Sequence, residues 1–393
     1  MTQGEPQVCA MKILISNGVV RQREAGTAGV IFHHAEELEK LGHQVDCWFA
    51  DDVLPSPRWP ARFKDLEFAF ALSSRIRRRP HHYDVVNLHA PFGCIYGLSR
   101  KWFRSAGLPP FVFTMQGCEE RFVQTMRLES KKGRAHNFAL KNRAWHWLYH
   151  RPMYDYTIST ADYGAVVNRE GWIMSELKYG HPPGRIWYVP NGVSEQFFQS
   201  RTFEKAPANR LLYVGTWLDR KGIYYLAEAF TALCTQMPEL KLTVAGCLIP
   251  EEHVKSFFPK GIHENVAVIP FLARDSMPAL YASHDIFVFP SLVEGMPLTL
   301  LESMAGAMPV VTTNTCGMAD LVEDGRNGML VPAADSAALY AALRRLREDA
   351  DLRRCLGLCA QKTAENYTWN AVVRKLEHIL KLAVTSRRTR SAS

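Results

Sequence analysis

The chain alternates between short unbroken apolar runs and longer stretches in which apolar residues return every three or four positions. Runs of the first kind suit strands buried on both faces, and the longer stretches suit amphipathic helices that cover them. "MKILISNG" at 11–18 predicts a first strand ending on Asn-Gly. In the following "AGTAGVIFHHAEELEKLGHQVDCWFA", Val30, Ile31, Ala35, Leu38 and Leu41 share one helical face, Gly42 supplies the stop, and a second strand is expected at 45–50. "DVVNLHA" (84–90), "FVFTMQG" (111–117) and "YTIST" (156–160) predict further strands, each followed by a loop or helical stretch. A parallel, helix-covered sheet follows from that alternation.

The pattern pauses at "IWYVPNGVSEQFFQS" (186–200), where Pro-Asn-Gly makes a tight turn, and at the Pro-containing "RTFEKAPANR". It then restarts with strands at 210–217, 240–246, 266–271, 285–291 and 309–314, interleaved with helices over 222–236, near 275–283 and across 297–306. The expectation is an α/β protein of two facing Rossmann-like domains with parallel sheets. The first spans 11–200 and the second 205–366; an amphipathic helix follows over 367–385, and a basic tail over 386–393.

Composition changes this picture little. A chain of 393 residues exceeds what one hydrophobic core organises, and 47% hydrophobic with 22% charged residues is ordinary for a globular protein. No apolar run approaches the roughly 20 residues of a membrane helix, and "MTQGEPQVCA" lacks a signal pattern, so a cytoplasmic protein is expected. Nine cysteines without a CxxC pair suggest neither zinc nor a disulfide framework. Charge does alter the reading. The net +8 is concentrated in the first half, where residues 1–195 hold 25 Lys/Arg against 19 Asp/Glu. Within it, 121–151 has eight basic residues and one acid, interleaved with Phe122, Phe138, Trp145 and Trp147. That mixture suits an anionic membrane, a polyanionic acceptor or RNA, or else a merely solvated basic helix.

Three stretches carry candidate chemistry, each where a strand gives way to a helix, the place at which open parallel sheets bind ligands. Gly26, after the first strand, lets a phosphate approach backbone N–H groups, although a plain turn reads the same way. "VGTWLDRKG" (214–222) sets Arg220 and Lys221 near the start of a helix, where the dipole disfavours cations unless an external anion is bound; two inconsequential surface charges are the alternative. In "PSLVEGMPLTLLESMAG" (290–306), Glu294-Gly295 turns the chain and Pro297 suits a first helical position. Eight residues at about 100° each bring Glu302 toward the side from which Glu294 projects. The free N–H groups of 296–299 would then point at a phosphate or at sugar hydroxyls, unless both acids serve only in structural ion pairs.

Taken in order, "AGTAGVIFHHAEELEKLGHQV", "DVVNLHAPFG", "FVFTMQG", "VPNGVSEQF", "LLYVGTWLDRKG", "VFPSLVEGMPLTLLESMAGAMPVV" and "CGMADLVEDGRNGMLVPAAD" resemble the family 4 retaining glycosyltransferases of the glycosyltransferase B fold, over residues 11 to about 385. The resemblance implies that the C-terminal helix packs back on the first domain. It implies that Glu294 lies at the transferred sugar, with Gly295, Met296, Pro297, Leu298 and Thr299 holding its hydroxyls, and that Glu302 binds the donor ribose. Lys221 and Arg220 would grip the diphosphate, with Gly215 and Thr216 beside it and Gly26 approaching from the other domain. Gly246 and Phe271 are expected near the base. No cofactor and no metal are expected, in keeping with the absence of an Asp-x-Asp motif.

The implied activity is transfer of a hexosyl group from a UDP- or GDP-sugar to a saccharide or lipid-linked glycan acceptor, with no nucleic acid as partner. His89, Lys131, Lys132 and Arg134 are assigned to the acceptor or to peripheral contact with the anionic inner face of the membrane. Two positions depart from the family pattern. Gln116 stands where a histidine of "T-x-H-G" would contact the sugar, and Thr216 replaces an arginine of the diphosphate site. Cys316 precedes Gly317 where two glycines are usual. An epimerase of the same architecture and a non-catalytic nucleotide-binding subunit are the competing readings.

Overall fold

The computed structural model describes residues 10–23, 26–102, 107–135 and 144–392, so Ala25 of the glycine turn, Phe138 of the basic stretch and Ser393 lie outside it. The chain forms two compact units. Met1–Gly117, Leu140–Pro190 and Trp369–Ser393 make the first; Cys118–Ala139 and Asn191–Thr368 make the second.

In the first unit six strands, β1 (Lys12–Ser16), β2 (Gln44–Trp48), β3 (Val85–His89), β4 (Phe111–Met115), β5 (Tyr163–Val166) and β6 (Ile186–Tyr188), lie in the order β2-β1-β3-β4-β5-β6. Each neighbouring pair is parallel. β3 and β4 are buried at every residue, which is why their sequences read as continuous apolar runs rather than as an alternation. The helix Trp369–Ala392 closes the same core, placing Val372, Leu376, Ile379 and Leu380 with Ile13, Ile15, Ile31 and Val112.

The second unit repeats the plan. β7 (Arg210–Val214), β8 (Lys241–Ala245), β9 (Val266–Ile269), β10 (Ile286–Phe289), β11 (Val310–Thr313) and β12 (Met329–Val331) run parallel in the order β12-β11-β10-β7-β8-β9. Chain order reverses between β7 and β10. At such a switch point the loops from the two carboxyl ends diverge to opposite faces and leave a crevice for ligand.

The structure departs from the sequence expectation in several places. "YTIST" is not a strand but the end of the helix Arg151–Thr160, and the strand follows at Tyr163–Val166. The unit boundary falls after Pro190, before the expected junction, because 191–200 is tied to the second unit. There the Asn191 side-chain amide donates to the Met296 carbonyl at 2.9 Å, and Val193 N donates to Tyr367 O at 2.8 Å. The helix Glu119–Lys131, expected in the first domain, also belongs to the second unit. Its buried Glu129 accepts from Tyr225 at 2.7 Å. At the other end, the last helix continues to Ala392 through the stretch read as a basic tail.

Candidate active site

The site grows from the two loops at the switch point of the second sheet. After β7, Gly215, Thr216 and Trp217 lead into a 3-10 turn, Asp219–Lys221, and only then does the helix Ile223–Gln236 begin. The two cations thus precede the helix rather than riding in its first turn. Gly222 makes the break: its φ of +73° is left-handed, and a Cβ there would overlap the carbonyl oxygen of Pro290. Leu292 N donates to Arg220 O at 2.8 Å and Ser291 Oγ donates to it at 3.1 Å, so the turn is stapled to the loop after β10.

That second loop delivers Glu294. Lys221 Nζ lies 2.7 Å from Glu294 Oε1, and the Arg220 guanidinium pairs with the same oxygen. Ser291 Oγ lies 3.2 Å from it, and Lys221 Nζ also stands 5.0 Å from the centroid of the Phe289 ring. Burial by itself would raise the Glu294 carboxyl. The Lys221 ammonium and Arg220 guanidinium outweigh it, so the group sits below the usual carboxylate range. Lys221 moves downward, because losing water costs its charged form more than Glu294 returns. The outcome is a cluster of two cations on one carboxylate, Lys221 and Glu294 nearly dry and Arg220 32% exposed, on loops that include the one leading into the helix Leu298–Ala305.

Pro297 caps this helix with an extended backbone (ψ 118°) instead of occupying its first turn. The N–H groups of Leu298 and Thr299, in the first turn, have no acceptor within the helix. About one turn on, Glu302 is 2% exposed. Arg274 Nη2 donates to its Oε1 at 2.9 Å and Tyr281 Oη donates to its Oε2 at 3.0 Å. Burial nevertheless leaves its carboxyl above the ordinary value, against the pull of Arg274. Sequence reasoning named neither Arg274 nor Tyr281. The available signal was Glu302 itself, an acid among Leu300, Leu301, Met304 and Ala305 that required a partner.

The loop between the two acids is held from behind. Gly317 packs so closely that a Cβ would overlap the Gly295 carbonyl oxygen, and Cys316 adopts a φ of +45°. A glycine would relieve the strain at Cys316, which gives a physical basis for the paired glycines usual there.

The remaining predicted residues are placed as follows. Tyr213 Oη donates to Thr216 O at 2.9 Å, Gly246 follows β8 with its N–H on Ile269 O at 2.9 Å, and Phe271 after β9 is 63% exposed. In the first unit, Gly26 opens the helix Gly26–Lys40 in open space. His89 ends β3, fully buried, and neither ring nitrogen has a hydrogen-bond partner among the described residues; the buried Gln116 Nε2 shares that condition. Burial, with the neighbouring His34 adding to it, pulls the His89 imidazole down to about 3, so it is neutral near pH 7. Lys131 is exposed, but Lys132 and Arg134 are not a free basic surface. Lys132 Nζ donates to Glu129 and to Tyr225 Oη, each at 3.0 Å, and Arg134 pairs with Glu228.

Comparison with known proteins places the chain in a family. Residues 25–197 match the model described as "Glycosyltransferase Family 4", and residues 208–349 match "Glycosyl transferases group 1". The chain belongs to the family 4, group 1 glycosyltransferases. The second matched segment of this family member contains Arg220, Lys221, Arg274, Glu294 and Glu302. Among curated relatives, the chain is 30% identical over 220 residues to a protein of Salmonella typhimurium named "Putative colanic acid biosynthesis glycosyltransferase WcaL", covering 53% of this chain and 54% of that one. It spans about half the length of the curated relatives it matches first. Sucrose-phosphate synthase from Thermosynechococcus elongatus superposes with a TM-score of 0.75 at 17% identity, over 98% of this chain and 100% of the other. Anabaena HepE, solved in complex with UDP-glucose, gives 0.65 at 17% identity, over 94% and 99%. These two likenesses establish the shared glycosyltransferase B fold.

Proposed function

We propose that the protein is a retaining, metal-independent hexosyltransferase. In this reading it moves a sugar from a UDP- or GDP-linked donor to a saccharide or lipid-linked glycan acceptor during assembly of a cell-envelope polysaccharide. The observation that carries the reading is the Lys221–Glu294 contact at the β7/β10 switch point, with Arg220 on the same carboxylate oxygen. The family membership, the colanic acid name of the Salmonella relative and the UDP-glucose in Anabaena HepE agree with it.

Cleaving the bond between the anomeric carbon and the phosphate oxygen leaves negative charge on the diphosphate and positive charge on the sugar. Lys221, Arg220 and the N–H groups of Leu298 and Thr299 form a preorganised cationic end for the leaving group. The Glu294 carboxylate, held ionised by those cations, accepts hydrogen bonds from sugar hydroxyls, and its charge favours the developing oxocarbenium. The acceptor oxygen bonds to the anomeric carbon on the face that the diphosphate leaves, and its proton passes to the departing phosphate oxygen. Two features support an acceptor-side and membrane-facing role for the first unit. Trp147 and Leu148, adjacent on one helical turn, are 62% and 67% exposed, and Arg151 follows them.

Thermal unfolding with UDP, GDP and ADP in turn, EDTA present throughout, tests the reading. A nucleotide at about a hundred times its Kd adds roughly 2.7 kcal/mol and raises Tm by several degrees. One base should give such a shift, and sugar transfer from the matching donor should proceed in EDTA. No shift with any base would remove the proposal.

A further inference from the structure

The two carboxylates of the site differ in how they are held. Glu294 has its cations on one oxygen, whereas each oxygen of Glu302 has its own donor, Arg274 on Oε1 and Tyr281 on Oε2. Arg274 is itself fixed, its guanidinium carbon 5.5 Å from the centroid of the Phe197 ring. An ionised carboxylate offers about four lone-pair directions. One arginine and one phenol hydroxyl, the latter also 3.2 Å from Thr299 O, leave about two, one on each oxygen. Among the described residues, Arg274 is the charged group facing this carboxylate and Tyr281 the titratable one. Other neighbours of the same helix, Gln361 and Arg201, end on the backbone carbonyls of Ala305 and Gly306.

We propose that Arg274 is a positioning residue for nucleotide recognition: it keeps Glu302 an ionised acceptor for the 2′- and 3′-hydroxyls of the donor ribose, while Tyr281 orients the second oxygen. The proposal rests on the nucleotide-sugar reading above and adds what makes that reading workable. A carboxyl 2% exposed would otherwise take up a proton and become a donor on one side, losing half of its capacity to accept. Arg274 need not touch the nucleotide.

The test is the pH dependence of UDP binding, or of whichever diphosphate the wild type prefers, by titration calorimetry. Arg274→Gln should bind within about threefold of wild type near pH 9, and weaken by about tenfold or more near pH 6, the size of one lost charge-assisted contact. Arg274→Lys should recover much of the acid-side affinity. The 2′,3′-dideoxynucleotide, which lacks the hydroxyls, should bind wild type and variants alike. Tyr281→Phe should weaken the ribonucleotide at every pH and spare the dideoxy form; together with Arg274→Lys it tests the proposal even where Arg274→Gln does not fold. A pH profile for Arg274→Gln parallel to wild type, or an equal loss with the dideoxynucleotide, would overturn the role of Arg274 and leave the donor reading standing. Wild type that binds no nucleotide at all would remove both.

Discussion

Lys221 Nζ and Glu294 Oε1 are 2.7 Å apart, although their loops leave different strands, β7 and β10, that become neighbours only at the switch point of the second sheet. The pair therefore reports the fold and the chemistry together.

Glu294→Gln keeps the shape and removes the charge. Transfer should fall by about three orders of magnitude or more, the scale of a lost electrostatic contribution in the transition state, while nucleotide diphosphate affinity changes little because Arg220 and Lys221 remain. Steady-state transfer and calorimetry on the same preparation check this. Turnover close to wild type would rule out Glu294 as a catalytic residue.

Lys221→Met should act on the phosphates. A charge-assisted hydrogen bond is worth about 1.5–3 kcal/mol, so the Kd of the diphosphate should rise by roughly ten- to a hundredfold. The affinity of the unphosphorylated nucleoside should stay as it was. A loss of equal size for both would instead indicate a general disturbance of the loop.

Gly222→Ala should be destabilising. The left-handed φ and the overlap with the Pro290 carbonyl act at once, and neither can be relieved by rotating a side chain. A cost of about 2–4 kcal/mol is expected, read as a lower midpoint in urea. An unchanged midpoint would mean that the 3-10 turn and the β10 loop are not packed as described.

The first unit should carry an acid-sensitive element. Burial, reinforced by the neighbouring histidine in each case, lowers His89 to about 3 and His34 to about 4, from an ordinary 6.5. The unfolded chain takes up these protons below about pH 6.5 and the folded chain does not, so stability falls as the pH drops through that window. Each site should cost about 2 kcal/mol by pH 5. The double substitution His34→Gln with His89→Gln should flatten the decline of Tm between about pH 7 and 5. A slope equal to wild type would assign the acid sensitivity elsewhere.

The fold was legible where burial was complete. β3, β4 and β10 are apolar because both faces are covered, and their sequences say so. "YTIST" misled for the same reason: its aromatic and β-branched residues suit a strand, yet Thr157 and Ile158 are buried from a helix, while the true strand "YGAV" is half glycine and alanine. The site was legible where residues lie in one loop or one motif. Arg274 and Tyr281 come 28 and 21 positions before Glu302, and only the folded sheet brings them to it. Lys132 and Arg134 illustrate the converse. A run of positive charge along the chain looked like a surface, but their partners, Tyr225 and Glu228, lie more than ninety positions away.

The last helix places Val372, Leu376 and Leu380 beside Ile13 and Ile15 of the first strand. During synthesis the first unit therefore cannot complete its core until the residues through Leu380 have left the ribosome, whereas the second unit has all its strands by Val331 and all its residues by Thr368. The half encoded later is the one able to finish folding first, and the opening strands must wait with an apolar face uncovered until the C-terminal helix arrives.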